Sequence, residues 1–131
     1  MDDSEMAQRA LAYALENHPD AEITVLHVAG GPSSMGGVAT GLALSDDPEA
    51  AAEERAKAVF ERAEELAAEH GVDVVTDVAL GHPTRTILNR AGEFDAVVIG
   101  SHSGSLSDRL FVGNIAQKVV RQSPVPVIVV R

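Results

Sequence analysis

The sequence predicts an α/β domain: a parallel sheet carrying helices on both faces. Three observations predict it. Helical and extended apolar patterns alternate in the order α, β, long loop, α, β, α, β, α, β. The extended runs at 23–28 and 95–100 are rich in β-branched residues, as buried strands are. Turn residues punctuate the boundaries, at Pro19-Asp20, His70-Gly71 and Gly81-His82-Pro83. Alternation of this kind implies right-handed crossovers in a three-layer fold. At 131 residues the chain reads as one domain, 1–131.

Each element has its own justification. From Ser4 to His18, Met6, Ala7, Ala10, Leu11, Ala14 and Leu15 recur at helical spacing, with Ser4 as N-cap and Glu5 at the positive end of the dipole. The buried strand 23–28 follows. Residues 29–46 hold five glycines with Pro32, Ser33 and Ser34, and read as a long surface loop or lid. Asp47-Pro48 opens the longest helix. Its apolar stripe is Ala52, Ala56, Val59, Ala63 and Leu66, and Gly71 is its left-handed terminator. The run 72–80 alternates like a strand with one wetter face near a sheet edge. A short helix from Thr84 to Ala91 turns Ile87 and Leu88 inward. A buried strand occupies 95–100. A helix over 114–122 carries Ile115, Ala116, Val119 and Val120, and 125–130 is the final strand.

A domain of this class normally begins with a strand, and that strand is usually central. Here the first helix starts at residue 4, and Asp2-Asp3-Ser4 reads as the turn after a strand. The expectation is that the first strand is absent from the chain as written, its start lying too late. The neighbours on either side of that slot would then be left unpaired.

Composition excludes several classes. There is no cysteine, hence no disulfide, thiolate metal site or cysteine nucleophile. No apolar run approaches the roughly 20 residues of a membrane helix, and no export signal opens the sequence. The expected setting is cytoplasmic, with no membrane partner. Formal net charge is −10, unevenly spread: residues 1–80 hold 17 acids and 4 bases, residues 81–131 hold 3 acids and 6 bases. The acidic half argues against a nucleic-acid groove. Two Lys against eight Arg, with many carboxylates, suits a halophile-like solubility device.

The stretch GSHSGSLSDRLFVGN at 100–114 joins the strand at 95–100 to the last helix, where exposed amides and glycines can cradle an anion. Ser101, Ser103, Ser105 and Ser107 are either phosphate ligands and modification sites or simple turn formers. His102 reads as a phosphate contact or a partly exposed loop residue, and Asp108-Arg109 as a local ion pair. Arg85 reads as a triphosphate contact or a solvated helix residue. The histidines at 18, 27, 70, 82 and 102 lack metal-ligand spacing. No serine-protease arrangement, P-loop or Gly-x-Gly-x-x-Gly fingerprint is present.

Taken together, Asp2-Asp3-Ser4-Glu5, Leu26-His27-Val28, Gly81-His82-Pro83, Val97-Val98-Ile99-Gly100-Ser101-His102 and the ending from Ser123 to Val130 resemble the universal stress protein family. The resemblance covers the whole chain apart from the first strand. It implies a Rossmann-like, adenine nucleotide alpha hydrolase-like sheet, a stress-response role and often a homodimer through the last strand, here Val125–Val130. It also implies, for a subset, ATP or ADP binding, with Mg²⁺. Such members carry Gly, two residues, Gly, nine residues, Gly, then Ser or Thr. This chain keeps the spacing with Gly100, Ser103, Gly113 and Asn114. Ser103 replaces a glycine, Gly104 lies one residue away, and Asn114 replaces a hydroxyl but can still cap the helix. By resemblance Asp2 and the backbone near Val28 face ribose and adenine, while Gly100, Ser101, Ser103, Gly104, Gly113 and Asn114 face phosphates. The alternative is a dimeric interaction module of the same family that binds no nucleotide. No catalytic residue is expected.

Overall fold

The computed structural model describes residues 1–30, 48–102 and 112–131. Most of the predicted loop 29–46, the predicted cap Asp47, and Ser103, Gly104 and Asp108-Arg109 lie outside the described residues.

Helix α1 spans Glu5–Asn17, and Ser4 caps it: its hydroxyl accepts from the Ala7 amide at 3.2 Å. The buried face is Met6, Ala10, Leu11, Ala14 and Leu15, at the spacing read from the sequence. Strand β1 is Thr24–Ala29. Helix α2 is Pro48–Glu69, and the whole predicted stripe, Ala52, Ala56, Val59, Ala63 and Leu66, is buried. Gly71 ends it with φ +71°, the left-handed conformation open to glycine. Strand β2 is Val75–Leu80, α3 is Pro83–Ala91, β3 is Val97–Gly100, α4 is Asn114–Gln122 and β4 is Val127–Val130.

All four strands start later than the sequence suggests, by one residue in β1, three in β2 and two in β3 and β4, and for β2 and β4 the local reason is visible. The Val72 amide still donates to Ala67 O in the helix exit, at 3.1 Å, so β2 begins only at Val75. Near 125, Ser123 Oγ donates to Val125 O at 2.8 Å and accepts from Val125 N at 3.2 Å. That turn delays β4 to Val127.

Both ladders are parallel. Strand β1 pairs with β2 from Thr24 opposite Val75 to Ala29 opposite Leu80, and β3 pairs with β4 from Val97 opposite Val127 to Gly100 opposite Val130. Among the described residues β1 and β3 are not hydrogen-bonded to each other, so the strands form two separate two-stranded sheets. Helices hold the halves together. α1 packs on β3, β4 and α2; α2 packs on β1 and β2. On the other face α3 packs on α4 and β1, and α4 on β4. The main apolar cluster is Leu11, Leu15, Val25, Ala63, Leu66 and Ala67, with Phe60, Val72 and Val74 against it.

Four burial expectations are corrected. In β1 only Val25 and Ala29 are buried, the other four residues being half-buried. All four β3 residues are half-buried, because the strand has one unpaired side. In α3 the buried positions are Pro83, Thr84 and Ala91, while Ile87 and Leu88 are only half-buried. Val120 is 50 % exposed, since the nine-residue α4 buries only the narrow face of Ala116 and Val119. The edge expectation for β2 holds: Val75, Val78 and Leu80 are exposed. No helix among the described residues is long and apolar enough to cross a membrane.

Candidate functional site

Backbone parity determines which groups face the opening between the two sheets. The Val75 amide donates to Ile23 O and the Gly81 amide to Ala29 O, so odd-numbered residues of β1 and β2 bond to each other. In a strand the intervening residues point their amides and carbonyls the opposite way. Thr24, Leu26 and Val28 therefore direct theirs away from β2. In the second sheet Val97 donates to Pro126 O and Ser101 to Val130 O. Val98 and Gly100 accordingly direct theirs away from β4. Val28 and Gly100, both singled out by sequence, thus sit at the carboxyl ends of the two unpaired edges, where open α/β sheets bind ligands.

The start of the chain crosses between these edges. The Met1 nitrogen donates to Leu26 O, and Met1 O lies 2.7 Å from His27 Nδ1. Asp2 follows; its Oδ1 accepts from the Ser4 amide at 2.9 Å, closing the turn into α1. Met6 then presses on β3. A Cβ on Gly100 would stand 2.8 Å from Met6 Cγ and 3.1 Å from Met6 O. Glycine at 100 is required by this packing whether or not a ligand approaches. No local pattern marks the contacts made by Met1, His27 and Met6, because they join residues far apart in the chain.

Ser101 is 2 % exposed, and all its polar groups are engaged. Its amide donates to Val130 O at 2.8 Å, its carbonyl accepts from Gly113 N at 2.5 Å, and Oγ lies 2.9 Å from His102 Nδ1. The Gly113 amide is therefore already satisfied inside the protein. Gly113, not Asn114, is the N-cap of α4, and it makes no side-chain capping bond. Asn114 is the first helical residue and is exposed, which corrects its expected capping role. The next internal bond is from Gln117 N to Gly113 O at 3.0 Å. The amides of Asn114, Ile115 and Ala116 thus remain at the positive end of α4 with no acceptor among the described residues.

The predicted residues Asp2, Val28, Gly100, Ser101, Gly113 and Asn114 are on described segments at this end of the sheets; Ser103 and Gly104 are not described. Arg85 is an exposed residue of α3 and His102 is half-buried. No group of three His, Asp or Glu among the described residues is placed to hold a metal.

The model of the universal stress protein family matches residues 1–131. Universal stress protein YxiE of Bacillus subtilis is 31 % identical, over 100 % of this chain and 95 % of its own length. The solved structure of UspA from Lactobacillus plantarum superposes with a TM-score of 0.72 at 25 % identity, covering 100 % of this chain and 93 % of that one. A universal stress protein from Archaeoglobus fulgidus, solved in complex with dAMP, gives 0.66 at 20 % identity, over 100 % and 92 % of the two chains.

Proposed function

Because this chain belongs to the universal stress protein family, we propose that it binds an adenine nucleotide, ATP or ADP, in the opening beyond the strand ends, in a regulatory stress-response role. One observation carries the reading. The outward backbone groups of Val28 and Gly100 lie on the two strand edges without a partner among the described residues, and Gly100 is joined through Ser101 to the start of α4, whose first amides have no acceptor among those residues. Backbone N–H groups at a helix start suit phosphate oxygens. In this reading Asp2 and Val28 face ribose and adenine, while Gly100, Asn114 and the loop containing Ser103 and Gly104 face the phosphates. Ser101 and Gly113 fasten that loop to the helix through their mutual hydrogen bond. Mg²⁺ would enter with the phosphates. The dAMP complex of the Archaeoglobus fulgidus protein supports a nucleotide in this fold. No residue is assigned to catalysis.

Isothermal titration of monodisperse protein with ATP and ADP tests the proposal. Saturable heat that falls at least tenfold in affinity in Asp2→Ala is expected. No saturable heat with either nucleotide refutes it.

One observation favours a second reading. The commitment of the Gly113 amide to Ser101 O removes a phosphate donor from the predicted cradle. The chain would then act as a homodimeric interaction module, pairing through β4, whose second edge has no partner among the described residues. A strictly monomeric mass by light scattering at high salt refutes that reading.

A further inference from the structure

The opposite edge of the molecule carries a feature that nucleotide binding does not use. Strand β2 pairs only with β1 among the described residues. Its odd residues spend their backbone groups on β1, as the bonds from Val75 and Gly81 show. The amides and carbonyls of Thr76, Val78 and Leu80 therefore point outward, along an open parallel edge. By strand alternation the side chains of these same three residues share one face. That is the α2 face: Thr76 and Val78 line a groove of about 290 Å³ with α2, whereas Asp77 turns the other way to meet Arg90 of α3. Val78 is 41 % exposed and Leu80 is 59 % exposed. The groove has an apolar floor containing Phe60 and Val78, and α2 adds Glu53, Glu61 and Glu64 against one cation, Lys57. None of these four charged groups has an ion-pair partner among the described residues.

We propose that this edge is a docking site for an extended peptide segment of a partner protein, in which basic and apolar residues alternate. The segment adds to β2 as a further strand. Its backbone pairs with Thr76, Val78 and Leu80, and strand addition of this kind draws affinity from main-chain bonds and specificity from alternate side chains. One face of the added strand lies beside α2, where its Lys or Arg side chains lay their aliphatic stems on Val78 and Leu80 and meet the unpaired carboxylates, while its apolar residues fall on the opposite face, beside the exposed Val75. The excess of negative charge selects a basic partner and disfavours a second copy of this acidic chain.

Fluorescence anisotropy with a labelled eight-residue peptide alternating lysine and valine tests the site, beside a control alternating glutamate and valine. The expected result is saturable binding of the basic peptide alone, weakened at least tenfold in the double variant Glu61→Lys and Glu64→Lys and weakened by added salt. Both positions are exposed, so an unchanged circular-dichroism melt shows that the variant remains folded. Hydrogen exchange locates the contact. Amides of Thr76, Val78 and Leu80 slow on adding the peptide, while those of Val75, Asp77 and Ala79 do not. Absence of binding, equal binding by the double variant, or protection confined to the odd residues overturns the proposal. So does self-association that Val78→Asp abolishes, which would assign the edge to a second copy. None of these outcomes depends on whether nucleotide binds.

Discussion

Replacing Gly100 by alanine adds a methyl where α1 leaves no space. The new Cβ would stand 2.8 Å from Met6 Cγ, 3.1 Å from Met6 O and 3.2 Å from the Met6 carbonyl carbon. The thioether arm can rotate away at little cost. The carbonyl belongs to the first turn of α1 and retreats only if the helix moves off β3. Overpacking of this kind costs about 1–3 kcal/mol. With a urea dependence of about 2 kcal/mol per molar, a loss of about 2 kcal/mol lowers the unfolding midpoint by about 1 M. Equilibrium urea unfolding followed by far-ultraviolet circular dichroism measures the shift directly. The slope should stay that of the parent, since the surface exposed on unfolding hardly changes. A midpoint within about 0.2 M of the parent would refute the packing argument. The same variant separates the two uses of this glycine. If ATP binding by the folded variant matches that of the parent, glycine at 100 serves the contact with α1 and not phosphate approach.

Two further outcomes follow from the helix ends. Ser4→Ala removes the side-chain acceptor of the Ala7 amide and should cost about 1 kcal/mol in the same urea assay; an unchanged midpoint contradicts the cap. His70 is held above its ordinary pKa first by its hydrogen bond to Leu66 O and then by Glu16, whose carboxylate lies 3.7 Å away on α1. A raised folded pKa means stability fully present below about pH 6.5 and lost as pH climbs through the folded value. The melting temperature of the parent should therefore exceed that of His70→Ala most at about pH 5.5 and least at about pH 8.5, and a gap that does not vary with pH defeats this assignment.

Most of the architecture was legible because its causes are local. Ser4 caps α1, Gly71 stops α2, and the alanine stripe of α2 is buried as its spacing requires. What the sequence left obscure depends on contacts between distant segments. Val120 has the apolar character of a core residue, yet α4 is too short and too marginal to cover it. Asn114 is a favourable capping residue by type, but the bond from Gly113 to Ser101 O places the cap one residue earlier. Of the candidate site, the sequence marked Val28 and Gly100 correctly as residues at the strand ends. It did not reveal that the buried Ser101 has its amide, carbonyl and hydroxyl all occupied within the protein. The expectation of unpaired edges beside a central slot agrees with the division of the strands into two sheets.

That division has a mechanical consequence. The two ladders are leaves joined by a spine: the segment 1–6, leading into α1, reaches from the Leu26 carbonyl at Met1 to Gly100 at Met6. Each leaf keeps its own internal bonding, so among the described residues helix packing and the segment 1–6, not strand pairing, resist separation of the two along their seam. A molecule lodged in the seam would stiffen both leaves at once, converting a local occupancy into a change of rigidity felt across the entire domain.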